Sequence, residues 1–464
     1  MPEIVDTSPE PHVAALAFPF GTHAAPLLAV IRRLAAAAPA AHFSFFGTAR
    51  SNASIFSASE SDAQRNVTAH DVPDGIPENY VFSGRPLEHI DLFMAAAPEV
   101  FRAGVAAAAA EAGRKVSCVV SDAFFWFAAE IAEEMGVPWV PFWTAGPASL
   151  SAHVHTDAFR QRINEVGGFV GHEDEPLEII PGMSRLRYRD LPEGVVFGNL
   201  ESSFSEMLHK MGLMLPHGAA LFMNSFEELD TDMTNYLKSK FKKFLNVGPS
   251  NLITPQPPPS NKVPDASGCI PWLDKQNPAS VAYVSFGTVM TPTPNEITAL
   301  VEALEESGVT FLWSFRNNSE AHLPNEFLEN TKGRGMVLPW APQKEVLAHD
   351  AVGVFVTHCG WNSLLESIAG AVPMICRPFF GDQRLNAQMI HRVWEIGVEE
   401  VGGVLTKNGL MKSLTVVLSQ EEGRKMRVKI KNLKELAQKA VEPEGSSTQN
   451  FKALLETILN KRDA

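Results

Sequence analysis

The sequence predicts an α/β protein built from two Rossmann-like, doubly wound parallel-sheet domains. Short apolar runs alternate with segments of helical periodicity through most of the chain, which is the pattern of repeated strand–helix–strand units. A proline-rich stretch at residues 250–268 interrupts this alternation near the middle of the chain. Because 464 residues are too many for one ordinary core, we place a domain boundary in this stretch.

The first half of the chain opens with a predicted strand over residues 13–20. Gly21-Thr22-His23 ends that strand, and Pro26 suits the first turn of the helix that follows. Apolar residues from Leu27 to Leu34 recur at helical spacing, so one face of this helix is expected to be buried. Further strands are predicted at residues 42–46, 116–120, 137–142, 221–224 and 245–247.

The second half repeats the alternation. A helix over residues 295–306 is predicted between two strands, and Asn362 and Ser363 favour the start of another helix that runs to Ala369. From about residue 382 onward the chain is expected to be mostly helical. The strands of this half are predicted at residues 281–286, 310–314, 336–338, 352–356 and 373–376.

Charge and composition narrow the classes of function. The formal net charge of −14 argues against nucleic acid as a partner, because phosphate neutralisation needs a basic surface. No apolar run reaches the ~18 residues of a membrane span, and residues 1–11 lack the basic region of a signal peptide. The four cysteines have no metal-binding spacing, so they are interpreted as reduced thiols of a cytoplasmic protein.

One acidic segment, Asp230-Thr231-Asp232, has the form of a metal-binding motif. It falls at the start of a predicted helix, where carboxylates favour the positive end of the helix dipole. The helix-terminus interpretation is favoured, and no metal site is predicted.

Residues 340–383 hold the densest group of candidate ligand-binding side chains. His358 follows the predicted strand at 352–356 and is placed to donate to a phosphate oxygen. The helix that begins near Asn362 offers free N–H groups and the positive end of its dipole, which suit a diphosphate. These features predict an anion site at the carboxyl end of the strand.

Further side chains extend this anion site toward a whole nucleotide sugar. Glu366 lies one turn beyond Asn362, and its carboxylate suits the two hydroxyls of a ribose. Trp340 offers a flat face to a base. Asp382 and Gln383 follow another predicted strand at its carboxyl end, where α/β sheets place ligands. The stretch therefore predicts a compact nucleotide-sugar site.

This stretch resembles, almost residue for residue, the signature box of plant family 1 UDP-glycosyltransferases. Within that family the chain is most similar to the flavonoid and anthocyanidin 3-O-glucosyltransferases, through segments at 18–26, 142–147 and 377–383. The motifs that carry the resemblance are Trp340-Ala341-Pro342-Gln343, His358-Cys359-Gly360-Trp361-Asn362-Ser363 and Pro378-Phe379-Phe380-Gly381-Asp382-Gln383.

The resemblance implies the GT-B fold, in which two such domains face each other across a cleft. It implies an acceptor-binding domain at 1–249, a UDP-sugar-binding domain at 269–445, and a last helix at about 446–464 that packs back on the first domain.

The resemblance also implies that His23 is the base that removes the proton of an acceptor hydroxyl. Histidine titrates near neutral pH, which suits this role. Asp122 follows the strand at 116–120 and can hold the imidazole in one tautomer and stabilise the imidazolium. Taken alone, His23 suits a surface histidine and Asp122 a helix cap, but together they match the His–Asp dyad of the family.

The donor contacts are assigned by the same resemblance. Gln383 is the usual mark of glucose in the family, whereas core packing is the alternative interpretation of Trp340 and of Trp361. The implied contacts are Trp340 and Ala341 to uracil, Gln343 and Glu366 to the ribose, Ser285, Thr288, His358, Asn362 and Ser363 to the diphosphate, and Thr144, Trp361, Asp382 and Gln383 to the sugar.

The acceptor side is inferred from residues that match a flavonoid pocket in similar enzymes. Aromatic walls suit a flat polyphenol, although ordinary core packing is the alternative for each. Leu87 stands where similar enzymes can carry a glutamine, so a hydrogen bond to a ring hydroxyl is lost and a different acceptor range or acceptor orientation is expected. The matching residues are Phe18, Phe124, His153 and Phe380, with Leu87 beside them.

The resemblance implies a monomeric enzyme that transfers glucose from UDP-glucose, with inversion, to the 3-hydroxyl of a flavonol or anthocyanidin, using neither metal nor cofactor. The same chemistry on another small phenol, or with another UDP-sugar, is the nearest alternative. A nicotinamide oxidoreductase is disfavoured because no Gly-x-Gly-x-x-Gly occurs in the chain. A non-catalytic UDP-sugar or flavonoid binding protein is the alternative from another class, and the presence of His23 and Asp122 argues against it.

Overall fold

The protein is described by a computed structural model over residues 10–56, 66–85, 87–253, 267–316 and 323–459, without the side chain of Val401. Two β-sheets organise these residues, one of seven strands and one of six, and every pairing between their strands is parallel. The strands are β1 (His12–Leu16), β2 (His42–Thr48), β3 (Val67–Val72), β4 (Cys118–Asp122), β5 (Trp139–Trp143), β6 (Leu221–Met223), β7 (Phe244–Asn246), β8 (Val281–Ser285), β9 (Thr310–Ser314), β10 (Gly335–Leu338), β11 (Val352–Thr357), β12 (Met374–Cys376) and β13 (Gly397–Glu399).

Both sheets are doubly wound. The first has the order β3-β2-β1-β4-β5-β6-β7 and the second the order β10-β9-β8-β11-β12-β13. In each sheet the strand order reverses at one pair, β1 with β4 and β8 with β11, and ligands of open α/β sheets bind outside the carboxyl ends of such pairs. The predicted fold class of two Rossmann-like parallel sheets is confirmed.

Helices cover the faces of both sheets. They are α1 (Ala24–Ala37), α2 (Ala49–Phe56), α3 (Glu88–Ala112), α4 (Ala128–Met135), α5 (Pro147–Val154), α6 (Thr156–Glu165), α7 (Ser203–Met214), α8 (Thr231–Lys240), α9 (Ser250–Ile253), α10 (Cys269–Leu273), α11 (Pro294–Ser307), α12 (Asn325–Asn330), α13 (Gln343–Leu347), α14 (Trp361–Gly370), α15 (Gln383–Gln388), α16 (Lys407–Ser419), α17 (Glu421–Ala440) and α18 (Ser446–Leu459).

The last helix, α18, returns to the first sheet. Its apolar residues Phe451, Leu454 and Ile458 are buried in one cluster with residues of β1 and β2, and the helix runs beside β7. The domain limits at 249, 268 and 445 stay predictions, and most of the predicted linker, residues 254–266, lies outside the described residues.

Some predicted strand limits are wrong. β1 ends at Leu16 and not at residue 20, because Pro19 has no N–H to donate to a neighbouring strand. Two edge strands were not predicted from the sequence. β3, at an edge of the first sheet, is half exposed and polar, and β13, at an edge of the second, has only three residues.

Helix α3 tests the prediction about membrane spans. Among the described residues it is the single helix long and apolar enough to meet the length and composition criteria for a span. Glu99 and Arg102 interrupt its sequence, and its residues Phe93 and Phe101 are buried in the core against the first sheet. One face of this helix is therefore packed on the core of the first sheet, and 28% of its apolar 18-residue window is buried.

Candidate active site

A histidine and an aspartate meet at the carboxyl ends of neighbouring strands of the first sheet. His23 precedes α1, and Asp122 is the last residue of β4, the strand that pairs with β1. The Nδ1 atom of His23 lies 2.8 Å from Oδ2 of Asp122. Thr144, which follows β5, places its Oγ1 3.2 Å from the same ring nitrogen. The sheet topology thus brings three residues distant in sequence to one point.

The carboxylate of Asp122 is held on both sides. Its Oδ1 accepts a hydrogen bond of 2.9 Å from the backbone N–H of Phe124, and its side chain is buried. Since an ionised carboxylate only accepts, Nδ1 of His23 carries the proton in this contact. The Nε2 atom is then the ring nitrogen left to accept a proton, and the His23 side chain keeps 19% of its surface exposed.

Aromatic rings surround this pair. The ring of Phe18 lies 5.1 Å from that of His23, and the ring of Phe124 lies 4.7 Å from it. Phe18 and Phe124 are in edge contact with each other, and Phe20 extends the group. The base candidate is therefore set in an apolar wall.

The other predicted acceptor residues are more scattered. Leu87 stands at the start of α3 with a left-handed φ of 63° and is 40% exposed, and Phe380 is 46% exposed. His153 is buried beside Trp143, its Nδ1 has no hydrogen-bond partner in the described structure, and burial lowers its pKa to about 4. Within the described residues, neither Phe380 nor His153 is in ring contact with His23.

The predicted phosphate contact His358 occupies a space that two glycines leave open. A Cβ added to Gly360 would lie 2.4 Å from Nε2 of His358, and one added to Gly287 would lie 2.8 Å from its Cε1. Burial lowers the pKa of His358 to about 4, and its Nδ1 has no hydrogen-bond partner in the described structure. The imidazole is thus neutral at pH 7 and has a free polar atom beside the helix that follows.

That helix, α14, begins one residue earlier than predicted. Its N-cap is Gly360, which offers no side-chain cap, so the first N–H groups, including those of Asn362 and Ser363, keep no partner from the cap residue. Ser285 is buried at the end of the adjacent β8, and Thr288 is exposed in the loop after it. The arrangement is suited to bind an anion.

The predicted ribose contacts form one hydrogen-bond network. The amide nitrogen of Gln343 donates to Oγ of Ser363 at 2.9 Å and to Oε2 of Glu366 at 2.7 Å. Its amide oxygen accepts from the hydroxyl of Tyr283 at 3.2 Å, and burial raises the pKa of Glu366. Glu366 is therefore oriented before any ligand arrives.

The two predicted uracil contacts differ in exposure. Ala341 is buried, whereas Trp340 is 62% exposed. Core packing, the alternative for Trp340, is therefore excluded. Its indole ring is accessible for stacking.

Two of the predicted sugar contacts, Asp382 and Gln383, are held by hydrogen bonds at the start of α15. Oδ2 of Asp382 accepts from the amide nitrogen of Asn386 at 2.8 Å, and that nitrogen also donates to the carbonyl of Cys359. Burial raises the pKa of Asp382, while the hydrogen bond from Asn386 acts in the opposite direction. Gln383 uses its amide oxygen to accept from the N–H of Phe379 at 2.8 Å, so its amide nitrogen is left to donate.

Trp361 joins the two halves of the site. Its indole nitrogen donates to the carbonyl of Asn224 at 2.7 Å, and a Cβ added to Gly146 would lie 2.7 Å from its ring. Its side chain is buried, as the packing alternative predicted, so any sugar contact from this residue would come from its backbone.

Several residues of the site escaped the sequence analysis. Asn224 and Asn386 make the contacts just described, and neither carried a motif of its own. Arg377 and Glu296 form a buried, bidentate ion pair. Nε and Nη2 of Arg377 each donate to one carboxylate oxygen of Glu296 at 2.7 Å, which supports the turn that leads to Asp382. An Arg followed by Pro at a strand end was visible in the sequence, but its partner 81 residues away was not.

The metal-binding alternative for the segment at 230–232 does not find support. Oδ1 of Asp230 accepts from the N–H of Met233 at 3.0 Å, which makes it the N-cap of α8. Within the described ranges no group of three or more His, Cys, Asp or Glu side chains is arranged to hold a metal ion.

Comparison with protein-family models finds one match, over residues 268–443, to the family described as UDP-glucoronosyl and UDP-glucosyl transferase. Two curated relatives match over nearly their whole length. An anthocyanidin 3-O-glucosyltransferase from Vitis vinifera is 61% identical over 98% of this chain and 99% of its own. A flavonol 3-O-glucosyltransferase from Arabidopsis thaliana is 54% identical over 98% of each chain.

A solved structure is similar over the same extent. The crystal structure of a UDP-glucose:anthocyanidin 3-O-glucosyltransferase in complex with UDP has a TM-score of 0.91 and 41% identity, covering 97% of this chain and 99% of its own. The predicted GT-B architecture, with two sheets facing across a cleft, is confirmed by this agreement.

Proposed function

This chain belongs to the UDP-glucoronosyl and UDP-glucosyl transferase family, and we propose that it transfers glucose from UDP-glucose to the 3-hydroxyl of an anthocyanidin or a flavonol. The observation that carries the reaction is the pairing of His23 with Asp122 at 2.8 Å. The names of the relatives support the donor and the acceptor class.

On the acceptor side, Nε2 of His23 takes the proton of the phenolic hydroxyl as the oxygen attacks. Asp122 holds Nδ1–H and stabilises the imidazolium that forms, in the way a triad aspartate does. The ring edges of Phe18 and Phe124 suit the flat face of a polyphenol. Phe380 and Leu87, both partly exposed, complete the proposed pocket, with His153 behind Trp143.

On the donor side, Trp340 stacks on the uracil, the backbone of Ala341 meets it, and Gln343 and Glu366 bind the ribose. Asp382, Gln383 and Thr144 bind the sugar, together with the backbone of Trp361. The diphosphate is received at the N-terminus of α14, whose uncapped N–H groups and dipole stabilise the charge that develops as UDP leaves. The residues proposed for the diphosphate are Ser285, Thr288, His358, Asn362 and Ser363.

The reaction proceeds as one displacement at the anomeric carbon. The bond from that carbon to the acceptor oxygen forms while its bond to the diphosphate oxygen breaks, and the acceptor proton remains on His23. Attack from the side opposite the leaving group converts the α-linked donor into a β-glucoside.

A product assay tests this function. The protein is incubated with UDP-glucose and a flavonol, beside the matching flavone that lacks the 3-hydroxyl, and the products are identified by mass spectrometry and NMR. A β-3-O-glucoside from the flavonol alone is expected. An α-glucoside would contradict the displacement, and equal turnover of the flavone at another hydroxyl would contradict the 3-position.

The finer properties of the enzyme are proposed with it. We infer a metal-independent, cytoplasmic monomer, because N–H groups and His358 are positioned for the diphosphate and because Cys118, Cys359 and Cys376 are buried thiols outside any disulfide. Full activity in EDTA, a monomer mass by light scattering and cytoplasmic localisation of a fluorescent fusion are expected. Loss of activity in EDTA would contradict the first inference, a dimer mass the second and another location the third.

A further inference from the structure

A cavity of about 570 Å³ lies between the two halves of the chain, away from the candidate active site. We call it the basic pocket. It is lined by Ser184, Arg185, Arg187, His391, Arg392, Glu395, Gly397, Glu422, Lys425, Met426 and Lys429.

The basic pocket and the active site lie at opposite ends of the strands of the second sheet. Gly397, which lines the pocket, is the first residue of β13, and the strands of that sheet are parallel, so the pocket lies at their amino ends. The helical stretch that begins with Gln383 at the sugar site continues through α15 into a π-helical turn, Met389–Val393, beside the pocket. At 1.5 Å per residue, Gln383 and Arg392 are roughly 14 Å apart along it.

The lining of the basic pocket has a charge opposite to that of the protein. Five cationic side chains face two carboxylates there, in a chain whose formal net charge is −14. Glu395 is already paired with Arg185, at 3.4 Å, and with Lys429. The pocket is therefore a local concentration of positive charge on a chain that is acidic as a whole.

Three of the cations have no ionic partner. Arg187, Arg392 and Lys425 form no ion pair within the described part of the chain. The acids nearby are Glu422, the buried Asp190, which already accepts from the backbone N–H of Arg187, and Glu399, whose charge acts on Asp190. Among the side chains that line the pocket itself the net charge is positive, with five cations and two carboxylates.

Arg392 supplies a second and independent sign of a ligand. Its Nε atom is buried and has no hydrogen-bond partner in the described structure, although buried donors are nearly always satisfied. It belongs to the π-helical turn Met389–Val393, a backbone form that occurs mostly as single turns at functional sites. Its own carbonyl accepts from Arg185 at 2.7 Å, which fixes the turn against the other half of the chain.

We propose that the basic pocket binds a small multivalent anion of the phosphate class. A guanidinium offers a planar set of donors that matches phosphate oxygens, and Arg187 and Arg392 provide two of them, with Lys425 as a third charge. The volume lies within the range of small-molecule sites. Because both halves of the chain contribute, the bound anion joins them at a point remote from the cleft.

Calorimetry with inorganic tripolyphosphate tests the site without relying on the proposed reaction. The titration is made on protein saturated with UDP, in the absence of divalent cations, so that the diphosphate positions of the active site are filled. Saturable binding at about one equivalent per chain is expected, weakened by added salt. If UDP abolishes the binding, the anion occupies the active site and the proposal is wrong.

Variants locate the binding. Arg392→Gln combined with Lys425→Gln is expected to weaken it by more than about tenfold, because two charged contacts are lost. Lys425→Gln alone, at an exposed position that does not endanger folding, is expected to weaken it by a smaller factor. The matched control, Lys412→Gln with Lys431→Gln, removes the same charge from exposed positions elsewhere on α16 and α17. Equal weakening in the control would mean diffuse attraction and would overturn the proposal.

Discussion

The two halves of the active site are built from different interactions. In the second domain, Gln343, Ser363 and Glu366 are joined by hydrogen bonds of 2.7 and 2.9 Å, and two glycines fix the space around His358. In the first domain, His23 is surrounded by ring edges at about 5 Å, and the outer part of the proposed pocket is partly exposed.

This difference indicates how each half tolerates change. Hydrogen bonds depend on distance and angle, so a displaced donor or acceptor loses most of its interaction. Apolar contact is non-directional and scales with area, so a flat ligand can shift and still be bound. We therefore expect strict recognition of the UDP-sugar and a broader range of acceptors.

The largest effect is expected where the two halves meet, at His23. His23→Ala removes the proton acceptor and should lower kcat by a factor of about 10²–10⁴, while the dissociation constant of UDP stays unchanged. Asp122→Asn keeps the imidazole and should cost less than His23→Ala. Steady-state kinetics and calorimetry with UDP measure the two quantities. A UDP affinity that falls with kcat would mean that His23 supports the donor half as well.

The next effect concerns the support of the donor half. Glu296→Gln leaves Arg377 buried without its anion and should lower the free energy of unfolding by about 3–5 kcal/mol at pH 7. Urea unfolding measures it, with Glu302→Gln on the exposed face of the same helix as the control.

The pH dependence of this effect has a defined sign. Burial alone would raise the pKa of Glu296, but hydrogen bonds from Arg377 and from backbone N–H groups outweigh burial and lower the pKa from 4.5 to about 2. The pair therefore stabilises the fold fully above pH 4.5, and its contribution is lost as the pH falls toward 2. The difference between wild type and Glu296→Gln should narrow only below pH 4.5; a gap that already narrows at pH 6 would contradict this assignment.

A smaller effect is expected from a methyl group in the phosphate site. The φ of Gly360 is −62°, so alanine fits its backbone, but the added Cβ would displace His358. Gly360→Ala should raise the dissociation constant of UDP by about tenfold, the loss expected of one hydrogen bond to a charged group. Gly104→Ala in α3 is the control, since its Cβ meets Phe46 at an ordinary 3.4 Å. Unchanged UDP binding in Gly360→Ala would show that the donor half is less rigid than its geometry indicates.

The smallest effects are expected at the acceptor rim. Leu87→Gln adds a hydrogen-bonding group at a partly exposed position and should change the ratio of kcat/KM between a flavonol and an anthocyanidin by less than about tenfold. The KM of UDP-glucose should not change. Leu213→Gln, at another exposed leucine, is the control. A change above tenfold would mean that the acceptor half is as selective as the donor half.

The sequence allowed the fold and the residues of each half to be predicted, but not the contacts between the halves. His23 and Asp122 follow strands whose adjacency is dictated by doubly wound topology, so their proximity was expected. The helix near Trp361 was expected too, because Asn362 and Ser363 favour a helix start shortly after a buried strand. The bond from Trp361 to Asn224 depends on how two separately folded sheets close on each other, and no local pattern encodes that. The pairing of Arg377 with Glu296, within the second half, could not be predicted either, because the two residues are 81 positions apart and meet only in the packed core.

The return of α18 to the first sheet has a consequence for biosynthesis and for chimera design. Phe451, Leu454 and Ile458 belong to one buried cluster with apolar residues of the first sheet, and α18 packs beside β7 and β4, so the first domain to leave the ribosome waits for the last residues of the chain before that face is closed. Chimeras that exchange the donor domain between relatives should therefore cut the chain twice. The terminal helix belongs with the parent of the acceptor domain, although the whole donor domain of the other parent would separate them in sequence.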